Sequence, residues 1–168
     1  MSPRLVLVGA PGAGKTTVGQ LLAQRWCITF ADTDALIEAE AGLSVADIFI
    51  TQGEPAFRDL EVAVVSAALA EHDGVLSLGG GSVLNEGTRS LLQGQPVAYL
   101  TVDATHAAAR IGLNRDRPLL LGNVRGQLMN LMSERAEHYA SVALWTVDTS
   151  SLSPDEVADL IETHMGAK

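Results

Sequence analysis

The sequence predicts an α/β fold: three layers, with a five-stranded parallel sheet covered by helices on both faces. Two observations carry this expectation. Five short apolar runs, at Leu5–Val8, Ile28–Phe30, Val75–Leu78, Val97–Leu100 and Leu144–Val147, alternate with longer segments of helical periodicity. The first run passes directly through a glycine-rich turn into a helix, the entry unit of a βα crossover.

That turn is Gly9-Ala10-Pro11-Gly12-Ala13-Gly14-Lys15-Thr16-Thr17, which fits G-x-x-x-x-G-K-[ST]. Glycines let successive backbone N–H groups face one concavity, where they cradle phosphate oxygens. The start of the next helix adds unpaired N–H groups and a partial positive charge. Lys15 suits the β- and γ-phosphates of a nucleotide, and the Thr16 hydroxyl suits Mg²⁺. Val18, Leu21, Leu22 and Trp26 continue at helical spacing. Of eleven cations, nine are arginine; lysine occurs only at Lys15 and Lys168. The compact charge thus stands where a point contact to phosphate is needed.

The remaining elements follow in order. After the strand Ile28–Phe30, the segment Ala31–Asp34 leads into a helix capped by Thr33 or Asp34. Gly42 ends it, and Ser44 with Asp47 opens the next. Gly53 breaks that helix; a long one runs from Glu54 to about His72, with Pro55 in its first turn. The strand Val75–Leu78 ends in Gly79-Gly80-Gly81. A helix near Glu86–Gln93, the strand Val97–Leu100 and a helix over Ala104–Ile111 come next. Periodicity stops from Gly112 to Val124, where Arg115 and Arg117 stand in an irregular loop. A helix over Arg125–Tyr139, the strand Leu144–Val147 and a helix from Pro154, capped near Ser153, complete the chain.

One domain is expected from 168 residues, which suffice for a sizeable core. A net charge of −9 argues against nucleic-acid and anionic-membrane partners. It also demands that the few cations gather at one cleft, so most second-half arginines are expected to line it. Cys27 is the only cysteine; its apolar setting predicts a buried, inert thiol. The N-terminal apolar run is too short for a secretory signal, and a cytoplasmic protein is expected.

In parallel sheets of this kind ligands sit beyond the carboxyl ends of the strands. The glycine-rich turn, Asp32 with Asp34, and the triple glycine all fall there. Read as i and i+2 on one strand, the two aspartates project together. One suits the Mg²⁺ shell and the other the proton or hydroxyl of an acceptor. The three glycines suit a ligand that approaches the backbone closely. Arg58 has Glu54 at i−4 and Glu61 at i+3, so it is either a solvated helical pair or a guanidinium aimed by Glu61 at an anion. Arg135, with Tyr139 four residues on, carries the same two readings. Arg117 suits a lid that closes on phosphate, and Arg110 suits phosphate or a base.

Taken together, these motifs resemble the shikimate kinase family over almost the full chain. The resemblance rests on the Gly9–Thr17 loop, Asp32-Thr33-Asp34, Ser44–Phe49, Phe57-Arg58 with Glu61, Leu78–Gly81, Arg117-Pro118-Leu119-Leu120, and Arg135 with Tyr139. It implies a nucleoside-monophosphate-kinase-like sheet in the order 2-3-1-4-5. A single domain over 1–168 would carry a substrate-binding segment at about 33–61 and a lid at about 112–124. The implied reaction moves phosphate from ATP to the shikimate 3-hydroxyl. Gly12, Ala13, Gly14, Lys15, Thr16 and Thr17 would hold the ATP phosphates, with Arg110 near the nucleotide. Thr16 and Asp32 would hold Mg²⁺. Asp34 would bind ring hydroxyls, Arg58 and Arg135 the carboxylate, and Gly80 and Gly81 the ring. Arg117 would bridge lid and phosphate, and a monomer is implied. Either Asp32 or Asp34 serves as base, since two neighbouring carboxylates titrate as a pair. One departure stands out: the loop Thr149–Pro154 carries no cation where the family often places an arginine. Another small-molecule kinase and a nucleotide-dependent switch are the rival classes; the sequence has no Asn-Lys-x-Asp guanine motif.

Overall fold

The computed structural model describes residues 2–112 and 124–166. Its five strands are β1 (Leu5–Val8), β2 (Phe30–Asp32), β3 (Val75–Ser77), β4 (Val97–Thr101) and β5 (Trp145–Asp148). They form one sheet, β2-β3-β1-β4-β5, and each adjacent pair is parallel. The order is the expected one.

Among the described residues eight α-helices accompany the strands: α1 (Lys15–Trp26), α2 (Thr33–Ala41), α3 (Val45–Gln52), α4 (Glu54–Glu71), α5 (Glu86–Leu92), α6 (Ala104–Gly112), α7 (Val124–Val142) and, after the last strand, α8 (Pro154–Gly166). Alternate residues of β1 serve opposite layers. Leu5 and Leu7 pack with Val18, Leu22, Ala107 and Ile161 from α1, α6 and α8. Val6 and Val8 pack with Val65, Leu69, Leu92 and Tyr139 from α4, α5 and α7. Full burial on both faces explains why this strand reads as continuous apolar sequence. A third cluster, of Ile37, Ile48, Phe57 and Val64, joins α2, α3 and α4. No helix among the described residues is long and apolar enough to cross a membrane.

Two local expectations are corrected. The second strand begins at Phe30 and runs to Asp32, displaced toward the carboxyl side of Ile28–Phe30. Its last residue, Asp32, is itself the cap of α2; Oδ1 accepts from Asp34 N at 2.8 Å and Ala35 N at 3.4 Å. Thr33 and Asp34 are therefore already helical, and neither is the cap.

Cys27, expected to be buried, is exposed. It closes α1 in a left-handed conformation with φ 55°. Cys27 N donates to Gln24 O at 3.2 Å and Ile28 N donates to Ala23 O at 3.0 Å, the paired bonds of a Schellman ending. The apolar neighbours Trp26 and Ile28 pack inward while the turn carries the thiol outward.

A left-handed residue with a Cβ is strained by about 1–2 kcal/mol, part of which glycine returns as unfolded-state entropy. Cys27→Gly is expected to stabilise the fold by on the order of 0.5–1 kcal/mol and to raise Tm by about 2 °C, measured by calorimetry. Cys27→Val should lower it.

Candidate active site

The carboxyl ends of β1, β2 and β3 open onto a cavity of about 400 Å³ lined by the glycine-rich turn, Asp32, Asp34, Leu78, Gly79, Gly80 and Arg110. The three sequence motifs thus share one crevice. A wider concavity of about 510 Å³ lies at the far end of α1, among Arg4, Trp26, Glu162 and Met165. Its polar groups are matched internally: Arg4 stacks on Trp26, whose Nε1 donates to Glu162 at 3.1 Å. The sequence motifs gather at the first cavity, not at this one.

The turn Gly9–Gly14 is held from several directions. Lys15 Nζ bends back over it and donates to Gly9 O at 2.7 Å and Ala10 O at 3.2 Å. Gly12 adopts φ 83°, and a Cβ there would lie 2.9 Å from Ala107 O. Only glycine meets both conditions. Gly12, Gly14, Lys15, Thr16 and Thr17 line the cavity. Ala13 does not. Its methyl is buried in the core, and its N–H is taken by Ala10 O at 3.1 Å.

Thr16 Oγ1 lies 3.4 Å from Asp32 Oδ2. Since Oδ1 is occupied by the cap of α2, the free edge of Asp32 faces Thr16. A hydroxyl and a carboxylate are hard oxygen donors, and two protein ligands suit an ion that keeps most of its water. The residues present therefore fit Mg²⁺. Asp34 reaches the same cavity from the first turn of α2. The expected reason for its approach, alternation along a strand, is wrong. The strand ends at Asp32, and the corner into the helix turns Asp34 toward the third strand.

Beyond β3 the three glycines meet three different parts of the chain. A Cβ on Gly79 would fall 2.5 Å from Asp34 Oδ1 and 3.3 Å from Glu61 Oε2. One on Gly80 would lie 3.4 Å from Arg135 Nη1, and one on Gly81 2.7 Å from Arg58 Cζ. The glycine at each step leaves room for a neighbouring functional side chain. Arg58 donates to Glu61 Oε1 at 2.8 Å, and more weakly to Glu54 at 3.4 Å. Because Glu61 is only 3% exposed, that pair is an inward aiming contact, not a solvated one. Arg58 thus pairs with exposed Glu54 on its outer side and with buried Glu61 on its inner side.

Arg110, expected near phosphate or a base, is bound to the phosphate turn and to the loop after β5. Its Nη1 donates to Gly12 O at 3.0 Å and Thr149 Oγ1 at 3.1 Å, while Nη2 donates to Thr149 O at 2.7 Å. The Thr149–Pro154 loop, without a cation of its own, receives one from α6. Thr149 Oγ1 also lies 3.0 Å from both Ala13 O and Thr101 O. Buried Thr149 thus ties the turn to β4. The second-half arginines do not all converge on the cavity. Arg110 lines it and Arg135 lies against Gly80, but Arg89 is spent on the carbonyls of Val83 and Leu84. Arg117 and the lid assigned to about 112–124 lie outside the described residues apart from the helix ends at 112 and 124.

Three contributors to the site were not singled out from sequence for what they do here. Thr33 accepts from Gly79 N at 2.9 Å, Tyr139 Oη donates to Gly80 O at 2.6 Å, and Thr149 makes the bonds above. Each is a neutral group whose role depends on a backbone atom far away in sequence. Spacing carries no signal for such a contact; the buried polar tyrosine four residues after Arg135 is the nearest to one.

Tyr139 is 1% exposed, and burial pushes its hydroxyl up to about 12, against the opposing pull of Arg135. The folded protein therefore holds this proton more tightly than the unfolded chain, whose tyrosine titrates near 10.0. The associated stability is whole below pH 10 and is lost as pH rises through about 12. In urea melts, stability should fall more steeply over that window in the native sequence than in Tyr139→Phe.

Comparison with known proteins agrees with this geometry. The family model described as Shikimate kinase matches residues 11–165. A shikimate kinase of Thermobifida fusca is 53% identical over 165 residues, covering 98% of this chain and 96% of that protein. One of Saccharopolyspora erythraea is 52% identical over 168 residues, covering 99% and 96%. Among solved structures, shikimate kinase from Acinetobacter baumannii in complex with shikimate superposes with a TM-score of 0.88 at 32% identity, covering 98% of this chain and 91% of that one. With the matching sheet order and the phosphate-binding turn in place, the chain belongs to the shikimate kinase family.

Proposed function

We propose that this chain transfers the γ-phosphoryl group of ATP to the 3-hydroxyl of shikimate, giving shikimate 3-phosphate and ADP. The observation that carries the acceptor's identity is the end of β3. There the carboxylates of Asp34 and Glu61 and the guanidinium groups of Arg58 and Arg135 meet three successive glycines, beside the phosphate-binding turn. A ring bearing hydroxyls and a single carboxylate matches that set: Asp34 for hydroxyl, Arg58 and Arg135 for carboxylate, and glycine backbone for the ring face.

In this reading residues 33–61 form the acceptor-binding segment, and Gly12, Gly14, Lys15, Thr16 and Thr17 bind the ATP phosphates. Asp34 accepts the proton of the acceptor hydroxyl as its oxygen bonds to phosphorus and the bond to ADP breaks. Asp32 is less suited to that task, because one oxygen caps α2 and the other faces Thr16. Thr16 and Asp32 hold Mg²⁺, which when bound neutralises charge on the β- and γ-phosphates. Lys15 adds a point charge beside the turn. Arg117 is assigned to the transferring phosphate on the sequence motif, and Arg110 to the nucleotide side of the cavity. Phosphoryl transfer asks the protein mainly for positioning and charge, which is what these groups supply.

The deciding experiment is ADP release from Mg-ATP with shikimate, gluconate, AMP or water as acceptor. Release with shikimate alone is expected. Release with another acceptor would leave the kinase fold but remove the roles given to Arg58 and Arg135. Slow release whatever the acceptor would point to a nucleotide switch.

Two variants divide the site. Lys15→Ala should lower kcat by about 10²–10³-fold or more in a protein that still folds, with Tm lowered by a few degrees because Gly9 O and Ala10 O lose their cation; near-normal turnover would overturn the phosphate assignment. Gly81→Ala places a methyl where Arg58 lies, so KM for shikimate should rise roughly tenfold while KM for ATP stays within about twofold. Equal changes in the two would make the Gly81–Arg58 contact purely structural.

A further inference from the structure

We infer that Thr33 is a positioning residue for the acceptor half of the site, acting through Gly79 on Asp34. This rests on the reading of Asp34 and the triple glycine as the acceptor site.

The sheet itself creates the need for such a residue. β2 pairs with β3 in the register Phe30 to Val75, Ala31 to Leu76 and Asp32 to Ser77. The second strand then stops, because Asp32 caps α2. On the other side, Leu78 N still donates to Leu7 O of β1 at 3.0 Å. Gly79 N, the next donor facing the β2 side, has passed the end of its partner strand. Thr33 Oγ1 meets it at 2.9 Å. A side-chain hydroxyl thereby extends the ladder by one rung, from a residue with no exposed surface.

That rung sets where Gly79 lies, and Gly79 bounds Asp34. A Cβ on Gly79 would be 2.5 Å from Asp34 Oδ1, so backbone and carboxylate are already in close contact. Glu61, which aims Arg58, borders the same position at 3.3 Å. If the rung is lost, the strand end can drift and the Asp34 carboxylate loses the wall that fixes it. Tyr139 holds the next residue, Gly80, by its carbonyl. Two neutral hydroxyls from opposite sides thus fix two successive glycines. The nucleotide side depends on a different set: Lys15 on Gly9 and Ala10, and Thr149 with Arg110 on Gly12 and Ala13. Thr33 touches none of these, so its influence should fall on the acceptor alone.

The test compares Thr33→Val, which keeps the shape and removes the hydroxyl, with Thr33→Ser, which keeps the hydroxyl. Both substrates are varied in steady-state kinetics, and each variant is melted. For Thr33→Val, kcat/KM for shikimate should fall about tenfold to a hundredfold, the scale expected when a reacting group is misplaced by up to an ångström. KM for ATP should remain within about twofold. Thr33→Ser should recover kcat/KM to within about threefold of the native value even if it melts lower. If Thr33→Val does not fold, Thr33→Ala carries the same comparison, since it also removes the hydroxyl without adding bulk. Normal kinetics in a folded hydroxyl-less variant would overturn the inference, as would equal losses for ATP and shikimate or failure of serine to rescue. The native protein is assayed alongside: no shikimate-dependent ADP release from it would overturn the underlying reading itself, a result separable from any effect of Thr33.

Discussion

The turn between β1 and α1 must leave most of its backbone N–H groups free for phosphate, and apart from the bond from Ala13 N to Ala10 O it leaves its carbonyls to partners from elsewhere. The rest of the site depends on how that shortfall is met. Lys15 takes the carbonyls of Gly9 and Ala10. Arg110 takes that of Gly12, and the Thr149 hydroxyl lies against that of Ala13. Buried carbonyls without partners cost roughly 1–3 kcal/mol each, so these cations and hydroxyls hold the turn open as well as charging it. The fold supplies them from α1, α6 and the loop after β5, and all three must be in register before the cradle exists.

An acidic chain that binds a polyanion faces a second constraint. The long-range field opposes the ligand, so attraction has to be local. Three of the described cations at the crevice are held near it by neighbours: Lys15 and Arg110 on backbone carbonyls, Arg58 by the buried carboxylate of Glu61. The carbonyl partners of Arg110 fix its direction without cancelling its charge. Glu61 does cancel charge, but it also removes the rotamer freedom of a long side chain, which the ligand would otherwise have to restrict.

The acceptor side is built by a different device. Three glycines let Asp34, Glu61, Arg135 and Arg58 approach one strand end, and two hydroxyls, from Thr33 and Tyr139, fix that strand end in place. No side chain of the glycine segment takes part in chemistry. Its contribution is the absence of bulk, so that two carboxylates and two guanidinium groups share a volume that any other residue would occupy.

Much of this was legible in the sequence. The apolar runs marked all five strands, most plainly β1, which is buried at every position and reads as unbroken apolar sequence; β2 and β5 are only partly buried and carry polar residues. The phosphate turn was legible because its geometry constrains residue type at each step. Gly79–Gly81 was legible as a place of close approach, though not what approached. Misreadings arose where a local rule met a tertiary one. Asp32 looked like half of a strand pair, but it caps a helix. Cys27 looked apolar by its neighbours, yet a left-handed turn rotates it outward. Thr149 stood in a loop notable only for lacking a cation, and Arg110 crossed from another helix to fill it. The sequence by itself determined the sheet, the turn and the residue types of the site, since each is a matter of local periodicity or a short-range motif. Only the tertiary structure decided which carboxylate faces Thr16, which glycine meets which side chain, and which hydroxyls fix the backbone. Those depend on contacts between segments tens of residues apart, and the chain carries no local record of them.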